Sequence, residues 1–151
     1  MKEESYPIQE TEVRFNNETD HPVPLDERKV RKCVSEVARQ DACSFSLVEV
    51  VYVDEETIRR INREHLDREY VTDIITFRYD DESRRIGIEG TLFCCAPRIS
   101  EQAREYEPEE ETEFTRVLIH GLLHLAGYDD RSEEEKSEMR GREEFYLDLL
   151  A

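Results

Sequence analysis

The strands and helices that the sequence predicts are unevenly distributed along the chain. Hydrophobic periodicity and β-rich runs predict the order β α β α β β α α α, so the strands lie in the first two-thirds and the last third is helical. Strands followed by helices are typical of a domain in which helices cover a separate sheet. The pattern therefore predicts an α+β fold with one small sheet.

Capping residues mark the start of three predicted helices. Asp26 and Asp54 stand directly before amphipathic stretches, and Ser132 begins a capping box with Glu135. Two further helices are expected at 98–106 and 108–126, and strands at 12–16, 44–53, 72–79 and 88–95, the last two around a polar turn at 80–85. The residues of the last helix that are expected to face inward are Met139, Tyr146 and Leu149.

The chain has 151 residues, and neither an internal repeat nor a Gly/Ser linker divides it, so we expect a single domain over 1–151. No apolar run reaches the length of a membrane span, and the first residues lack the apolar core of a signal peptide. The sequence thus predicts a cytoplasmic protein without a membrane partner. The four cysteines show neither zinc-ligand spacing nor a disulfide framework and are interpreted as small buried residues.

Net charge is the property that first argues against a nucleic-acid partner. The 38 acidic and 21 basic residues give a charge of −17, which opposes binding to a phosphate backbone. The acid is concentrated at the two ends, however, since residues 57–104 are neutral and contain nine arginines. An acidic chain with 17 arginines and four lysines is also typical of proteins from salt-accumulating organisms, where salt screens self-repulsion. The charge therefore indicates habitat more than ligand.

The most apolar segment of the chain contains a histidine pair, His120 and His124, four residues apart on the predicted helix. This spacing places the two imidazoles on one face about 6 Å apart, close enough for both to bind one metal ion. Gly127 stands where a left-handed residue would end the helix, so Asp129 or Asp130 can return to the same ion as a third ligand. Three protein ligands leave a position for water, which is typical of catalytic zinc.

The structural alternative is that both histidines are ordinary helix residues and that the acidic pair only leads into the next capped helix. Two of the four histidines stand in this apolar segment, where buried polar side chains need partners, and this favours the metal site. The residue after the first histidine is Gly121, where a zinc protease has its general-base glutamate, so peptide hydrolysis by that mechanism is not expected.

The segment that carries the histidine pair, HGLLHLAGYDD at 120–130, resembles the HGxLHLxGYDH signature of the YbeY-type endoribonucleases. Upstream, the Ile-Asn pair at 61–62 and the block VTDIITF at 71–77 are similar to the family's LN and PTDVLSF motifs. Residues 89–94 fall at its GDIxI strand, and residues 97–103 at the helix that follows. The similarity runs in order along essentially the whole chain.

The resemblance implies a zincin-like α+β fold, with a small mixed β-sheet of about four strands packed with about five helices. It implies one zinc ion per chain on His120, His124 and Asp130, with other divalent metals as substitutes. It further implies a single-strand endoribonuclease of ribosomal RNA maturation and ribosome quality control. The implied partners are single-stranded ribosomal RNA and the small ribosomal subunit.

The chain departs from the family pattern at three positions. Asp130 replaces a histidine, and a carboxylate ligand lowers the pKa of a bound water less than an imidazole does. Leu66 stands where the family has an active-site arginine, and Thr91 replaces an aspartate. A cation that would hold phosphate is therefore missing at Leu66. Because there is so little excess positive charge, we expect RNA binding to be weak in isolation.

Four further residues are candidates for the site. Arg63 and Arg68 are assigned to substrate binding in place of the missing arginine. Thr72 and Asp73 are assigned to catalysis, with Asp73 orienting a ligand imidazole or a water. The structural alternatives are solvated helix charges for the arginines and strand-end capping for Thr72 and Asp73. His65 is interpreted as a helix-face residue.

Two functions of other classes stand beside this one. A ribosome-binding maturation factor with weak or lost catalysis is compatible with Leu66 in place of the arginine. An iron(II) oxygenase with two histidines and one carboxylate is compatible with the ligand set, although the HxD spacing that is usual for those enzymes is absent.

Overall fold

The computed structural model describes residues 11–80, 87–106 and 108–151. Within these ranges the chain forms four strands and five helices in the predicted order, and the α+β class is confirmed. The strands are β1 (Glu12–Asn17), β2 (Phe45–Val53), β3 (Ile74–Arg78) and β4 (Ile88–Cys95). The helices are α1 (Glu27–Gln40), α2 (Glu55–Leu66), α3 (Ala96–Tyr106), α4 (Glu110–Leu125) and α5 (Glu133–Leu150).

Polar side chains begin α1, α2 and α5 as predicted. Asp26 and Asp54 each accept a hydrogen bond of 2.8 Å from a backbone N–H three residues further on, and Ser132 forms a reciprocal capping box with Glu135. α3 begins two residues earlier than expected, because Pro97 fits the first turn of a helix, where its N–H is not needed. The predicted turn at 80–85 lies, apart from Asp80, outside the described residues.

The four strands form one mixed sheet in the order β1-β2-β4-β3. β2 pairs in parallel with β1 and with β4, whereas β3 pairs with β4 in antiparallel orientation. Parallel neighbours need long crossover connections, and α1 supplies the one between β1 and β2. β3, which carries part of the TDIITF block, is the last strand in this order and therefore lies at an edge of the sheet.

α4 is the central helix of the larger core, packed between the sheet and the helices α1, α3 and α5. Two glycines allow the helix and the sheet to approach closely. A Cβ on Gly121 would lie 2.5 Å from the Ile74 side chain, and a Cβ on Gly90 would lie 2.6 Å from Leu125. The C-terminal half of α4 is therefore held against β3 and β4. α2 covers the other face of the sheet, where Ile58 packs with residues of β2, β3 and β4.

α5 differs from the prediction at one residue. Met139 and Tyr146 are buried as expected, but Leu149 is 42% exposed and Leu150 is buried in its place. The inward face follows the helical period through 139, 143, 146 and 150, and position 149 falls beside it.

The cysteines behave as small apolar residues, as interpreted from the sequence. All four are free, three of them are buried, and Cys43 is half-buried. Among the described residues, no helix combines the length and the apolar character that a membrane crossing requires.

Candidate metal centre

The histidine pair lies at the end of α4, where the chain leaves the helix and turns back. Gly127 has a φ of +109°, as its position in the sequence predicts, and its N–H bonds to the carbonyl of His124 at 3.1 Å. Arg78 of β3 donates a hydrogen bond of 3.2 Å to the carbonyl of Leu125, which ties the end of the helix to the sheet. The loop that follows brings Asp130 back to the two histidines.

Three potential ligand atoms converge at this point. Nε2 of His120 lies 3.0 Å from Nε2 of His124, and Oδ2 of Asp130 lies 3.5 Å from each nitrogen. Ligands at about 2.0–2.1 Å around a tetrahedral zinc ion are about 3.3 Å apart, so the three atoms already have the separation that one ion requires. Asp129 is directed elsewhere, since its Oδ1 accepts the N–H of Asp130 at 3.0 Å. Of the two open alternatives, Asp130 is the residue that joins the histidines.

The partner of each Nδ1 atom determines which nitrogen of the ring is free. Nδ1 of His120 faces Oε2 of Glu143 at 3.0 Å, and Nδ1 of His124 faces the carbonyl of Tyr128 at 3.0 Å. A carboxylate and a carbonyl only accept hydrogen bonds, so each Nδ1 carries the proton and each Nε2 of a neutral ring presents a lone pair. When both rings are neutral, two lone pairs and a carboxylate oxygen therefore point at one another, an arrangement that a bound cation or a proton satisfies.

Glu143 belongs to a buried charge network behind His120. Its side chain is 8% exposed, and Arg116 lies 3.9 Å from it. Arg116 also lies 3.3 Å from Glu113 and 2.7 Å from Glu144, so one guanidinium serves three carboxylates. Burial raises the pKa of Glu113 in spite of this cation, and the negative charge of Glu143 adds to the effect.

The charge around His120 affects its protonation in the metal-free protein. Burial disfavours the imidazolium and lowers the pKa, whereas the hydrogen bond and charge of Glu143 raise the pKa. The charges of Asp73 and Asp130 act in the same direction, and the net pKa of His120 is raised. A metal ion at this site would therefore compete with a proton, and its affinity would rise with pH.

The carbonyl that orients His124 belongs to a tyrosine that is anchored in a second network. Tyr128, Tyr146 and Arg142 all donate hydrogen bonds to Asp41, which ends α1 and whose side chain is 8% exposed. Burial alone would raise the pKa of Asp41, but the three hydrogen bonds outweigh it and lower the pKa. Asp41 thereby links the end of α1 to the loop that carries Tyr128.

A cavity of about 360 Å³ opens beside the three ligand atoms. Of the four additional candidates, Arg68, Thr72 and Asp73 line this cavity, whereas Arg63 is exposed on α2 and does not reach it. Leu66 lines it as well.

Asp73 has its own hydrogen-bond partner in the cleft. Its Oδ2 accepts a hydrogen bond of 3.3 Å from Nε2 of Gln102, while the Nδ1 atoms of both candidate ligands are held by Glu143 and by the Tyr128 carbonyl. Of the two roles expected for Asp73, only the orientation of a water is compatible with these contacts. His65 lies on the exposed side of α2, and its ring packs edge-on against Phe77 at a centroid distance of 5.3 Å.

A second cavity of about 280 Å³ shares His120 and Asp130 with the first and is otherwise lined by residues of α5. Two of these, Lys136 and Arg140, are cations one helical turn apart. Lys136 lies 3.7 Å from Glu133, and no carboxylate of the described residues lies within 4.0 Å of the Arg140 guanidinium. The candidate metal centre therefore lies where two cavities meet.

Glu143 and Asp41 support the candidate site, and sequence reasoning missed both of them. A signal for Glu143 was present, because it stands on the same face of α5 as Met139 and Tyr146 and is thus an acid within an apolar stripe. No comparable signal marks Asp41, whose three partners lie 87, 101 and 105 residues away in the chain.

Fold and site together define a class: an α+β single domain with a candidate His-His-Asp metal site at the end of its central helix. Comparison with known proteins adds the family. A family model described as Endoribonuclease YbeY matches residues 14–151, and the chain belongs to this family.

Individual relatives agree with this assignment. Endoribonuclease YbeY of Chloroherpeton thalassium is 38% identical over 126 residues, which are 83% of this chain and 87% of that protein. Endoribonuclease YbeY of Chlorobium phaeobacteroides is 37% identical over 138 residues, 91% of this chain and 96% of that protein. The solution structure of TM1509 from Thermotoga maritima matches with a TM-score of 0.63 at 25% identity and covers 91% of this chain and 88% of that one. The resemblance in the sequence is thus confirmed.

Proposed function

We propose that this chain is a zinc-dependent endoribonuclease that cleaves single-stranded ribosomal RNA in ribosomal RNA maturation and ribosome quality control. The proposal treats residues 1–151 as one hydrolase domain, acting in the cytoplasm on RNA that the small ribosomal subunit presents. Its support is family membership, since the relatives are named endoribonucleases, together with the convergent ligand atoms.

The residues of the site fit a catalytic zinc ion. His120 and His124 would bind it through Nε2 and Asp130 through Oδ2, which leaves a fourth position open. When bound, zinc supplies a Lewis acid that lowers the pKa of water and polarises a phosphoryl oxygen. The carboxylate ligand also suits harder ions such as manganese or iron(II).

The remaining side chains of the cleft hold the reactants in this proposal. Asp73 orients the attacking water, and the Thr72 hydroxyl, 3.5 Å from Oδ1 of Asp73, positions that carboxylate. Arg68 at the wall of the cavity contacts a phosphate of the bound strand. Arg63, exposed on α2 outside the cavity, contacts a phosphate further along the strand.

The observation that carries the proposal is the convergence of three potential ligand atoms: Nε2 of His120 and Nε2 of His124 are 3.0 Å apart, and Oδ2 of Asp130 is 3.5 Å from each. It is tested by measuring zinc content and RNA cleavage of the His120→Ala and His124→Ala variants. We expect both variants to lose stoichiometric zinc and cleavage together. A His120→Ala protein that contains no zinc and cleaves RNA at the wild-type rate would contradict the proposal.

The third ligand is tested by comparing Asp130→Ala with Asp129→Ala, since the two carboxylates are neighbours of similar exposure and only Asp130 faces the histidines. We expect zinc to be lost from the Asp130 variant and retained in the Asp129 variant. Wild-type zinc content in Asp130→Ala would remove Asp130 from the ligand set.

A second candidate function is a ribosome-binding maturation factor with weak or lost catalysis, which is favoured by Leu66 in the place of the family's arginine. Single-turnover cleavage of a defined RNA by the wild type, abolished by His120→Ala, would exclude this candidate. Elemental analysis of protein purified without added metal addresses the oxygenase alternative, which requires iron rather than zinc.

A further inference from the structure

The cavity beside the ligand atoms has an exposed apolar wall. Leu66 is 43% exposed and Tyr70 is 53% exposed, and both line the cavity that contains His120, His124 and Asp130. Six large hydrophobic side chains are exposed among the described residues, and of these only Leu66 and Tyr70 line this cavity. Leu66, at the position of the family's arginine, and Tyr70 thus form an apolar part of the wall beside the Arg68 cation.

The backbone that presents this wall is held in place by a buried amide. Asn62 is 1% exposed, and its Nδ2 donates a hydrogen bond of 2.9 Å to the carbonyl of Tyr70. The carbonyl of Asn62 accepts the N–H of Arg68 at 3.2 Å, and Asp67 between them ends α2 in the left-handed conformation with φ +53°. The segment 67–70 is thus fixed to α2 at two points, although every side chain from Asp67 to Tyr70 is exposed.

The ring of Tyr70 is positioned at its outer end as well. Nη1 of Arg68 donates a hydrogen bond of 3.0 Å to the phenol oxygen. The hydrogen bond at the phenol and the fixed backbone restrict the rotation of an aromatic ring that remains open to solvent. A ring ordered before binding loses little conformational entropy when it meets a flat ligand.

Proteins that bind single-stranded RNA stack unpaired bases on exposed aromatic rings, frequently with an arginine alongside. A base within a duplex is already stacked and paired and does not offer its face in this way. We propose that Tyr70, with Leu66 beside it, forms a stacking surface for one unpaired nucleobase adjacent to the phosphate that reaches the metal centre. This inference rests on the proposed function and adds to it the physical basis of single-strand preference.

Stacking also resolves the conflict between a charge of −17 and an RNA substrate. Phosphate contacts release counterions and weaken steeply as salt rises, whereas contact between a base and a ring releases none. A cleft that uses Leu66 and Tyr70 therefore retains part of its affinity at salt concentrations that screen Arg68.

The inference is tested with zinc-loaded protein and a short single-stranded RNA in which 2-aminopurine, a fluorescent base quenched by stacking, replaces one base next to the cleavage site. The variants are Tyr70→Ala, Tyr70→Phe and, as the matched control, Tyr79→Ala. Tyr79 is a tyrosine of similar exposure, 56%, that lines neither cavity at the metal centre.

We expect quenching of the base in the wild-type complex and binding about tenfold weaker in Tyr70→Ala. The loss should appear as a higher half-saturating RNA concentration with a similar limiting rate. The slope of affinity against salt should be unchanged, because no phosphate contact is removed. Tyr70→Phe should bind nearly as the wild type does, since the ring is kept, and Tyr79→Ala should bind unchanged.

Two results would overturn the stacking surface: an unquenched base in the wild-type complex, or equal weakening in Tyr70→Phe and Tyr70→Ala, which would assign the effect to the phenol. Failure of the proposed function has a different signature. In that case the wild type shows no RNA cleavage that depends on His120, whatever residue stands at position 70.

Discussion

Glu143 of α5 accepts a hydrogen bond of 3.0 Å from Nδ1 of His120 of α4, so the last helix of the chain holds a candidate metal ligand of the central one. We expect Glu143→Gln to weaken zinc binding roughly 10- to 100-fold, the usual cost of losing such a partner. Competition with a chromophoric chelator measures the affinity. Glu144→Gln is the control, because Glu144 also pairs with Arg116 but is 59% exposed and does not touch the histidine. Equal affinities in the two variants would show that Glu143 is dispensable.

Gly127 and Gly141 form a matched pair for the loop behind α4. A Cβ on either glycine would meet nothing within 4 Å, but Gly127 has a φ of +109° and Gly141 lies inside α5. Gly127→Ala should therefore destabilise the protein by about 1–2 kcal/mol and weaken zinc binding, since Asp130 follows it. Gly141→Ala should stabilise the protein by about 1 kcal/mol. Urea unfolding measures both changes, and a stabilising Gly127→Ala would contradict the backbone argument.

Asp41 is expected to make stability dependent on acid pH. Because its pKa is lowered in the folded state, its contribution is present above the pKa of an unfolded aspartate, about 3.9, and disappears as pH falls through the lower folded value. Asp41→Asn should cost roughly 1.5–3 kcal/mol at pH 7 and much less in acid. Urea unfolding of metal-free protein across this pH range measures the difference. A loss of stability in Asp41→Asn that is as large in acid as at pH 7 would contradict this assignment.

The two cations of the second cavity predict a salt-dependent contribution to RNA affinity. If Lys136 and Arg140 each contact one phosphate, the double change to Gln should reduce the slope of log affinity against log salt by about 1.4. Binding titrations of single-stranded RNA at several salt concentrations measure the slope. The matched control is the double change of Arg28 and Lys32 to Gln, an exposed pair with the same spacing on α1. The same reduction in slope for both pairs would indicate general charge rather than a site.

Much of the fold could be predicted because its signals are local. Asp26, Asp54 and Ser132 cap their helices through bonds to residues three positions away, and such contacts can be recognised without knowledge of the rest of the chain. The wrong prediction at Leu149 also concerns a local pattern. After Tyr146, the next inward residue of an apolar helix face can come three residues later, at Leu149, or four residues later, at Leu150, and both spacings fit the sequence. In the structure the buried residue is Leu150.

The clustering of the three candidate ligands was predictable for the same reason, since His120, His124 and Asp130 lie within one turn of helix and one loop. The residues that hold these ligands come from elsewhere. Glu143 reaches His120 across a helix pair, and Asp41 reaches Tyr128 from the far end of α1. Contacts between distant segments depend on how the helices pack, which hydrophobic patterns in a single sequence do not specify.

The ligand atoms stand on parts of the structure with very different freedom to move. Both histidines belong to a helix enclosed by the sheet and three other helices, whereas Asp130 lies in the loop before α5 with a side chain 41% exposed. Local opening events start in such loops and leave core helices intact. The exchange of a bound ion should therefore be governed by the rate at which this loop opens, with the histidine pair retaining the ion until the carboxylate has left.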